Sequence, residues 1–435
     1  MKLKTILTVG CLFAAMSASA EAWSLDSCIS YAISHNINIK TQELQIENGE
    51  LQIQQAKDGF LPSLDASASQ SWNFGRGLTA ENTYANRNTS SLSWNVGLNL
   101  PLFQGMSEYR RLKLAKSNLK QYLLQTEAAK ENVAMNVITY YLQVLYSKEV
   151  EQSALSQAEY SAYEVERQRA MVEAGKVPEA DLYDAESLAA QDRLQVVTAQ
   201  NDTQTALVNL ANLLQLPTVE GFDILPISEE DPLIPRPEAV YREALINNSS
   251  VLAARQSIKV ADDNISLAKA GYIPTLSFNA GTGSSYYTLS GFENEKFGDQ
   301  MRHNLSTYIG FSLRIPIFDG FGTRNNVRQA QIQKYSAQLQ VEQQESDLYR
   351  DIQLAYYQAI GARDRYLTSG ETLEKTQLSF NATREKYNLG RSTPAEFEQA
   401  KNNLFRTEVT RIQAHYEYLL RHRILLFYQN PQENM

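Results

Sequence analysis

The side chains that could do chemistry are few and scattered along this chain. No Gly-x-Ser-x-Gly turn and no phosphate-binding loop occurs, and Gly75-Arg76-Gly77 falls in a predicted hairpin tip rather than between a strand and a helix. The chain's histidines and cysteines also lack the spacing of a zinc site. They are His35, His303, His415, His422, Cys11 and Cys28. The sequence therefore predicts no metal, no cofactor and no catalytic centre, so an enzyme is not expected.

The ends and the charge of the chain indicate where it works. Residues 1–20 combine Lys2 and Lys4, an apolar stretch at 6–16 and a small-residue cleavage site at 18–20, which is the pattern of an export signal. Cys28 is then the one cysteine left, which excludes an intrachain disulfide. A lipid anchor at Cys11 stays open as an alternative. The formal net charge of −9 among 435 residues argues against a nucleic-acid partner.

The elements that must position any functional side chain are repeated. Residues 56–64 recur as 268–276, an offset of 212, with the pattern Ala-Lys-x-Gly-aromatic-aliphatic-Pro at the start of each. Residues 101–105 recur as 316–320, an offset of 215. Such self-similarity predicts a duplicated architecture, in which each copy carries one β-hairpin and several helices.

Four segments alternate between apolar and polar residues in the manner of strands with two different faces. Each is about as long as the 9–11 residues that a tilted membrane strand needs. A soluble sandwich is the alternative, but polar faces of Ser, Asn and Gly without Lys or Glu favour a pore lining. Arg314 projects from such a face and is predicted to line a lumen, with a solvated charge of no role as the alternative. The segments are 64–74, 91–102, 275–287 and 305–317.

Four strands cannot close a barrel, since the small natural barrels have about eight. In lipid every strand edge must be paired, so several copies must contribute hairpins to one barrel. Three copies would supply 12 strands. The polar hairpin tips at 75–90 and 288–304 are expected to be outward-facing loops.

Long helices follow each hairpin. Residues 106–174 contain no proline and predict a helix about 100 Å long, and residues 323–389 repeat it. Gly175 and Gly390 end these helices at the C-cap position. Shorter helices are expected at 179–216 and 395–428 after these turns, and at 25–58 and 236–270 before the strands.

This ordered set of motifs, present twice, resembles the TolC family of trimeric outer-membrane efflux channels. The resemblance rests on the strand entries at 59–62 and 271–274, the strand exits at 101–105 and 316–320, and the glycine turns. It implies a mainly α fold with a membrane β-barrel. Each chain would be internally duplicated, with a long α-helical coiled-coil barrel and four strands that contribute to a shared 12-stranded trimeric β-barrel.

The same resemblance implies a function. The chain would be a homotrimeric outer-membrane exit duct of a tripartite efflux or type I secretion system in a Gram-negative bacterium, with its helical part in the periplasm. Its partners would be a periplasmic adaptor protein, an inner-membrane pump and outer-membrane lipid. The competing interpretation is a trimeric cell-surface coiled-coil protein with a structural or adhesive role and no transport activity.

The resemblance also assigns roles to individual residues. Glu396 falls where family members carry a carboxylate at the periplasmic constriction, and Gln399 falls where a second carboxylate is common. Three carboxylates on a threefold axis would favour cations; the alternative for Glu396 is a first-turn acid that complements a helix dipole. The helical-hairpin turns are the expected adaptor-docking tips, and four prolines mark strand–helix junctions. These residues are Gly175, Lys176, Asp181, Gly390, Arg391, Ser392, and Pro62, Pro101, Pro274, Pro316.

These observations predict the division of the chain. The export signal occupies 1–20, and a first repeat occupies 21–219, with its hairpin at 61–103 and its helical turn near 175–180. A linker at 220–236 leads to the second repeat at 237–429. That repeat has its hairpin at 273–318 and its turn near 390–395, and a tail follows at 430–435.

Overall fold

The computed structural model describes residues 22–78, 82–227 and 233–431. The predicted export signal, residues 228–232 of the predicted linker and residues 432–435 of the predicted tail lie outside the described residues. The first half forms α1 (Leu25–His35), α2 (Ile37–Asp58), β1 (Ser63–Asn73), β2 (Arg76–Leu78), β3 (Tyr84–Asn86), β4 (Thr89–Gln104), α3 (Ser107–Glu173) and α4 (Glu179–Leu213). The second half forms α5 (Pro237–Asn247), α6 (Ser249–Ala268), β5 (Thr275–Leu289), α7 (Phe297–His303), β6 (Ser306–Arg314), α8 (Gly322–Asn388) and α9 (Pro394–Gln429).

Two helices dominate the chain. Both α3 and α8 have 67 residues, which corresponds to a length of about 100 Å for each. Their bounds agree with the predicted spans within one or two residues, because neither segment contains a proline and each ends at a glycine turn. None of the helices in the described part of the chain has a stretch long and apolar enough to cross a membrane.

The prediction of single helices at 25–58 and 236–270 was wrong, because each is broken at an asparagine. Asn36 (φ −61°, ψ 129°) ends α1, and Asn248 (φ −71°, ψ 116°) ends α5. The amide of Asn36 donates to the Ala32 carbonyl and that of Asn248 to the Ala244 carbonyl, both at 2.8 Å. The two asparagines are 212 residues apart (248 − 36), the offset of the strand-entry motif.

One antiparallel sheet has the strand order β1-β4-β5-β6, so its two central strands come from different repeats. The predicted two-faced pattern is kept across the register: Ala66 opposes Val96, and Phe278 opposes Phe311 with ring centroids 5.4 Å apart. A bulge between Pro101 and Phe103 interrupts the β4–β5 pairing. β1 and β6 are the edges of this sheet.

The hairpin tips contain structure that the sequence reasoning treated as loop. In the first tip, β2 and β3 pair as a short antiparallel ribbon. In the second tip, α7 is fixed by Gln300, whose side chain accepts from the Tyr287 amide at 2.9 Å and donates to the Tyr287 carbonyl at 3.0 Å. These elements are only three to seven residues long, too short for hydrophobic periodicity to reveal them.

The chain packs as two compact units, each formed from separate stretches of sequence. The first unit takes in 22–41, 127–249 and 345–431 where these are described. Its core includes Val137, Tyr141 and Val144 of α3, which are at most 1% exposed. The Tyr141 hydroxyl lies 2.6 Å from the Leu225 carbonyl, and backbone hydrogen bonds join Trp23 to residues 223–225.

The second unit contains residues 42–126 and 250–344 where these are described, and therefore the sheet. Its strand entries explain the glycines of the repeated motif. A Cβ at Gly59 would overlap the Glu108 carboxylate, and one at Gly271 would lie 2.9 Å from the Thr323 hydroxyl oxygen. A side chain at either position would displace the facing side chain at the start of the next helix, so glycine suits this close approach of the two helices.

Candidate functional site

The two helical-hairpin turns have the same backbone geometry. Gly175 and Gly390 adopt φ values of +66° and +70°, in the left-handed region that favours glycine. After each glycine the next amide bonds back into the helix: Lys176 N to Met171 O at 2.9 Å, and Arg391 N to Lys386 O at 2.8 Å. The two long helices thus end in equivalent Schellman-type turns, as the sequence predicted.

Glu396 occupies the third position of α9 and forms a capping box with Thr393. Its amide donates to the Thr393 hydroxyl oxygen at 3.2 Å, and its carboxylate accepts from the Thr393 amide at 2.9 Å and from the Ser392 hydroxyl at 2.8 Å. These hydrogen bonds lower the pKa of Glu396. Within one chain its carboxylate stabilises the start of its own helix, which is the alternative that the sequence left open.

The other predicted turn residues lie at or near the surface. Lys176, Arg391 and Gln399 are exposed, whereas Asp181 and Ser392 are half-buried. Neither Asp181 nor Arg391 forms an ion pair with another residue in the described ranges. No ion pair therefore links the two turns through these two residues.

Different residues join the two helical hairpins near their turns. The Tyr387 hydroxyl of α8 donates to Glu164 Oε1 of α3 at 2.9 Å and accepts from Gln168 Nε2 at 2.6 Å. The guanidinium of Arg167 lies 4.7 Å from the centre of the Tyr387 ring. Burial and the neighbouring Glu164 carboxylate raise the pKa of Tyr387 above its ordinary value. This cluster ties α3 to α8 through a phenol that stays protonated.

A buried cluster of charged and polar side chains joins α3, α4 and α9. Lys401 of α9 is 5% exposed, and its ammonium nitrogen lies 3.0 Å from Asp192 Oδ2 of α4 and 2.7 Å from the Ser161 hydroxyl of α3. Gln157 Nε2 donates to Asp192 Oδ1 at 2.6 Å. Glu398, one turn before Lys401, lies 2.8 Å from the ammonium nitrogen, and burial raises its pKa although Lys401 acts in the opposite direction. One ammonium group thus serves two carboxylates.

The sheet has one face that we call the polar face, formed by the odd-numbered residues of β1, of β4 from 89 to 99 and of β5, and by the even-numbered residues of β6. Hydrogen bonds across it join Ser69 to Ser93 at 2.9 Å and Asn99 to Asn279 at 2.7 Å. Arg314 lies at the end of this face, opposite Thr275, and is exposed. The opposite face carries exposed apolar side chains, among them Leu64, Ile309 and Phe311 at 70–72% exposure.

The four junction prolines do not have equivalent positions. Pro62 and Pro274 directly precede β1 and β5, and Pro316 follows β6. Pro101 instead lies inside β4, at the bulge, where a residue without an amide hydrogen is tolerated. Gly105 and Gly320, with φ values of +60° and +64°, turn the chain from the sheet into α3 and α8.

The two repeats of this fold each match the same known protein family. The profile of the outer membrane efflux protein family matches residues 28–215 and 240–426, one match for each repeat. The chain belongs to this family. No cluster of His, Cys, Asp and Glu able to hold a metal ion occurs among the described residues, and family members are transport channels rather than enzymes.

Individual relatives of the efflux family cover nearly the whole chain. The outer membrane efflux protein BepC of Brucella suis is 21% identical and TolC of Escherichia coli is 22% identical, each over 97% of this chain and over 88% and 85% of the relative. The crystal structure of the CmeC outer membrane channel of Campylobacter jejuni superposes with a TM-score of 0.74, at 17% identity, over 93% of this chain and 85% of that one. The chain has the channel fold and serves as an outer-membrane exit duct for efflux.

Two side-chain clusters were not predicted from the sequence: the Lys401 cluster and the Tyr387 cluster. Both involve residues more than 200 positions apart. Each helix in question is rich in charge, so Lys401 and Asp192 have no local signal that separates them from solvated neighbours. A comparison of the two helical hairpins as a packed pair would have been needed to find them.

Proposed function

We propose that three copies of this chain assemble into one duct, and that β6 of each copy pairs with β1 of the next. The observation that carries this proposal is the four-stranded sheet with two open edges and an exposed apolar face. Every residue of β1 is exposed. Lipid contains no water to satisfy free strand edges, so a sheet of this kind requires closure. Three copies give 12 strands, which is enough for a closed barrel.

In this assembly the apolar face of the sheet contacts outer-membrane lipid, and the polar face lines the lumen. Arg314 then stands at the end of the lumen nearest the helices. Its guanidinium has no ion-pair partner among the described residues, which supports a role in the passage of anionic groups. The junction residues Pro62, Pro101, Pro274 and Pro316 mark where the lumen wall changes from strands to helices.

The helical-hairpin turns are the proposed docking surface for a periplasmic adaptor protein, which connects the duct to an inner-membrane pump. Support comes from their exposure and from a rigid backbone that is the same in both repeats. The surface is defined by Gly175, Lys176, Asp181, Gly390, Arg391 and Ser392. We also propose, from the duplicated motifs, that the first repeat ends at residue 219 and that the second begins at residue 237.

We further propose that Glu396 and Gln399 lie at the periplasmic constriction of the trimer. Gln399 is exposed and follows Glu396 by almost one turn of α9. The lowered pKa of Glu396 supports a permanent negative charge there, and three such charges would favour cations. Both capping hydrogen bonds to the carboxylate use Oε2, so Oε1 forms no hydrogen bond to another described residue.

The test of the proposed function is the mass and conductance of the purified protein. Native mass spectrometry from detergent is expected to give the mass of three chains, and the trimer is expected to conduct a small, cation-selective current in a planar bilayer. A monomeric mass in a correctly folded preparation would refute the shared barrel. Deletion of the gene is expected to cause accumulation of exported compounds; an unchanged level would argue against export.

A further inference from the structure

Three polar groups converge over one glycine of the polar face. A Cβ at Gly97 would lie 3.3 Å from Asp65 Oδ2, 3.5 Å from Asn95 Nδ2 and 3.9 Å from the Tyr308 hydroxyl oxygen. The three side chains come from β1, β4 and β6, and the register aligns Asp65 with Gly97, Gly97 with Gly281, and Gly281 with Tyr308. We call this group the Gly97 cluster. It forms one row across the four strands.

The Tyr308 side chain lies flat along this row because its partner on β5, Gly281, has no side chain. A Cβ at Gly281 would lie 2.7 Å from Tyr308 Cε1, Cζ and the hydroxyl oxygen, so a side chain at position 281 would displace the ring. The phenol end of the ring therefore covers Gly281 and points towards Gly97. Tyr308 is still 52% exposed, so the ring face away from the sheet is open to solvent.

The Asp65 carboxylate carries the charge of this row and lies far from other charges of the sheet. The four strands of the sheet contain only two charged residues, Asp65 and Arg314, and both lie on the polar face. Arg314 is six residues along β6 from Tyr308, or about 20 Å, which exceeds the screening distance in physiological salt of about 8 Å. Asp65 forms no ion pair with another described residue. Its carboxylate is therefore free to attract a mobile cation.

We propose that the Gly97 cluster is a binding step for organic cations in the lumen, with Asp65 supplying charge and the open ring face of Tyr308 supplying a cation–π surface. A carboxylate beside an exposed aromatic face is the chemistry that recognises substituted ammonium groups. In the trimer the cluster occurs three times at one level of the barrel. The inference rests on the proposed lumen, because it requires the polar face to line the path of transported molecules.

A purely structural alternative exists, in which Tyr308 only covers glycines and so stabilises the sheet. That alternative requires the ring and makes no use of Asp65. The two roles therefore separate when the charge and the ring are removed independently: Asp65→Asn removes the charge, Tyr308→Leu removes the ring, and Tyr308→Phe keeps the ring without its hydroxyl.

The experiment uses a thiol at Ser67, two residues from Asp65 on the same face and about 7 Å away. Whole cells that carry Ser67→Cys are treated with a cationic trimethylammonium methanethiosulfonate and, separately, an anionic sulfonate analogue. The ratio of the two rates is normalised to that of a free thiol. The native Cys28 is buried and its pKa is raised to about 12, so it does not react. Entry from outside makes the result independent of a closed periplasmic end.

In Ser67→Cys the cationic reagent is expected to react preferentially. Asp65→Asn in this background should lower the normalised ratio by about threefold or more. Tyr308→Leu should lower the cationic rate roughly two- to fivefold, whereas Tyr308→Phe should leave it unchanged. Asp202→Asn, which removes the same charge from an exposed position on α4, is the matched control and should have no effect.

A ratio that is the same with and without Asp65, in variants that retain the trimer mass, would overturn the cation site while the proposed duct stands. The opposite face provides the check on the duct itself. Ala66→Cys should be shielded from both reagents by lipid. If Ala66→Cys reacts and Ser67→Cys does not, the polar face does not line the lumen, and the proposed function and this inference both fail.

Discussion

The ammonium nitrogen of Lys401 on α9 lies 3.0 Å from the carboxylate of Asp192 on α4, and the two side chains are 6% and 11% exposed. Their residues are 209 positions apart, in different repeats. Glu398 shares the same ammonium group. This ion pair therefore couples the helix that follows one turn to the helix that follows the other, inside the first compact unit.

Removal of the ammonium group should destabilise the helical hairpins. Lys401→Met keeps the length of the side chain but leaves Asp192 and Glu398 as uncompensated buried acids. The free energy of unfolding is expected to fall by about 3–5 kcal/mol, measured as the midpoint of urea unfolding by far-UV circular dichroism. Lys375→Met, which breaks an exposed pair with Glu374, is the control and should unfold like the wild type. Equal midpoints for both variants would contradict a stabilising cluster.

The two roles of Glu396 can be separated by the choice of substitution. Glu396→Gln keeps the capping box, because a glutamine side chain can occupy the same position, whereas Glu396→Ala removes it. Thermal unfolding of the helical part is therefore expected to change in the alanine variant and not in the glutamine variant. If Glu396 also lies at the constriction, both variants lose cation selectivity in planar-bilayer recordings. Unchanged selectivity in both would remove Glu396 from the constriction and leave it as a cap.

Glu131 should make the folded protein less stable as the pH rises. It is 5% exposed, accepts from the Ser249 hydroxyl at 2.5 Å, and burial raises its pKa above 4.5. Because the folded pKa exceeds the unfolded value, its stabilising contribution is full below pH 4.5 and is lost as pH rises through the folded pKa.

The corresponding variant is Glu131→Gln, which keeps an acceptor for Ser249 without the charge. Wild-type stability relative to this variant should fall as pH rises from 4 to 8, measured by urea unfolding at each pH. A wild-type stability that instead rises with pH relative to the variant would show that the folded protein stabilises the carboxylate in its charged form. The acids elsewhere in the chain titrate in both proteins and cancel in the comparison.

Substitution of Gly390, the turn glycine of the second helical hairpin, should destabilise the protein through backbone strain alone. A Cβ at Gly390 would meet no atom within 4 Å, but φ is +70°. Gly390→Ala should therefore cost about 1 kcal/mol in the free energy of unfolding, and Gly390→Asn should cost less because asparagine tolerates this region. Gly298→Ala in α7 also meets open space and lacks the unusual φ. It should be neutral, and a similar loss there would point to an effect other than backbone strain.

The parts of the fold that carry a local signal in the sequence were the parts that could be predicted from it. Gly175 and Gly390, the long proline-free segments and the alternating strands carry local signals, and the structure contains each of them. The breaks at Asn36 and Asn248 were missed although they keep the offset of 212, because an apolar periodicity continues across them. The Lys401 cluster and the Gly97 cluster were missed for a different reason: each depends on side chains that meet only after distant elements pack.

The two hairpin tips have diverged in how firmly they are held. In the second tip, Gln300, Asn294 and Ser284 fix the segment around α7 through side-chain to backbone hydrogen bonds, whereas the ribbon of β2 and β3 in the first tip is mostly exposed. A foreign peptide inserted beside β3 would therefore leave the hydrogen bonds around α7 intact. The first tip is therefore a better place than the second to carry an epitope or affinity tag.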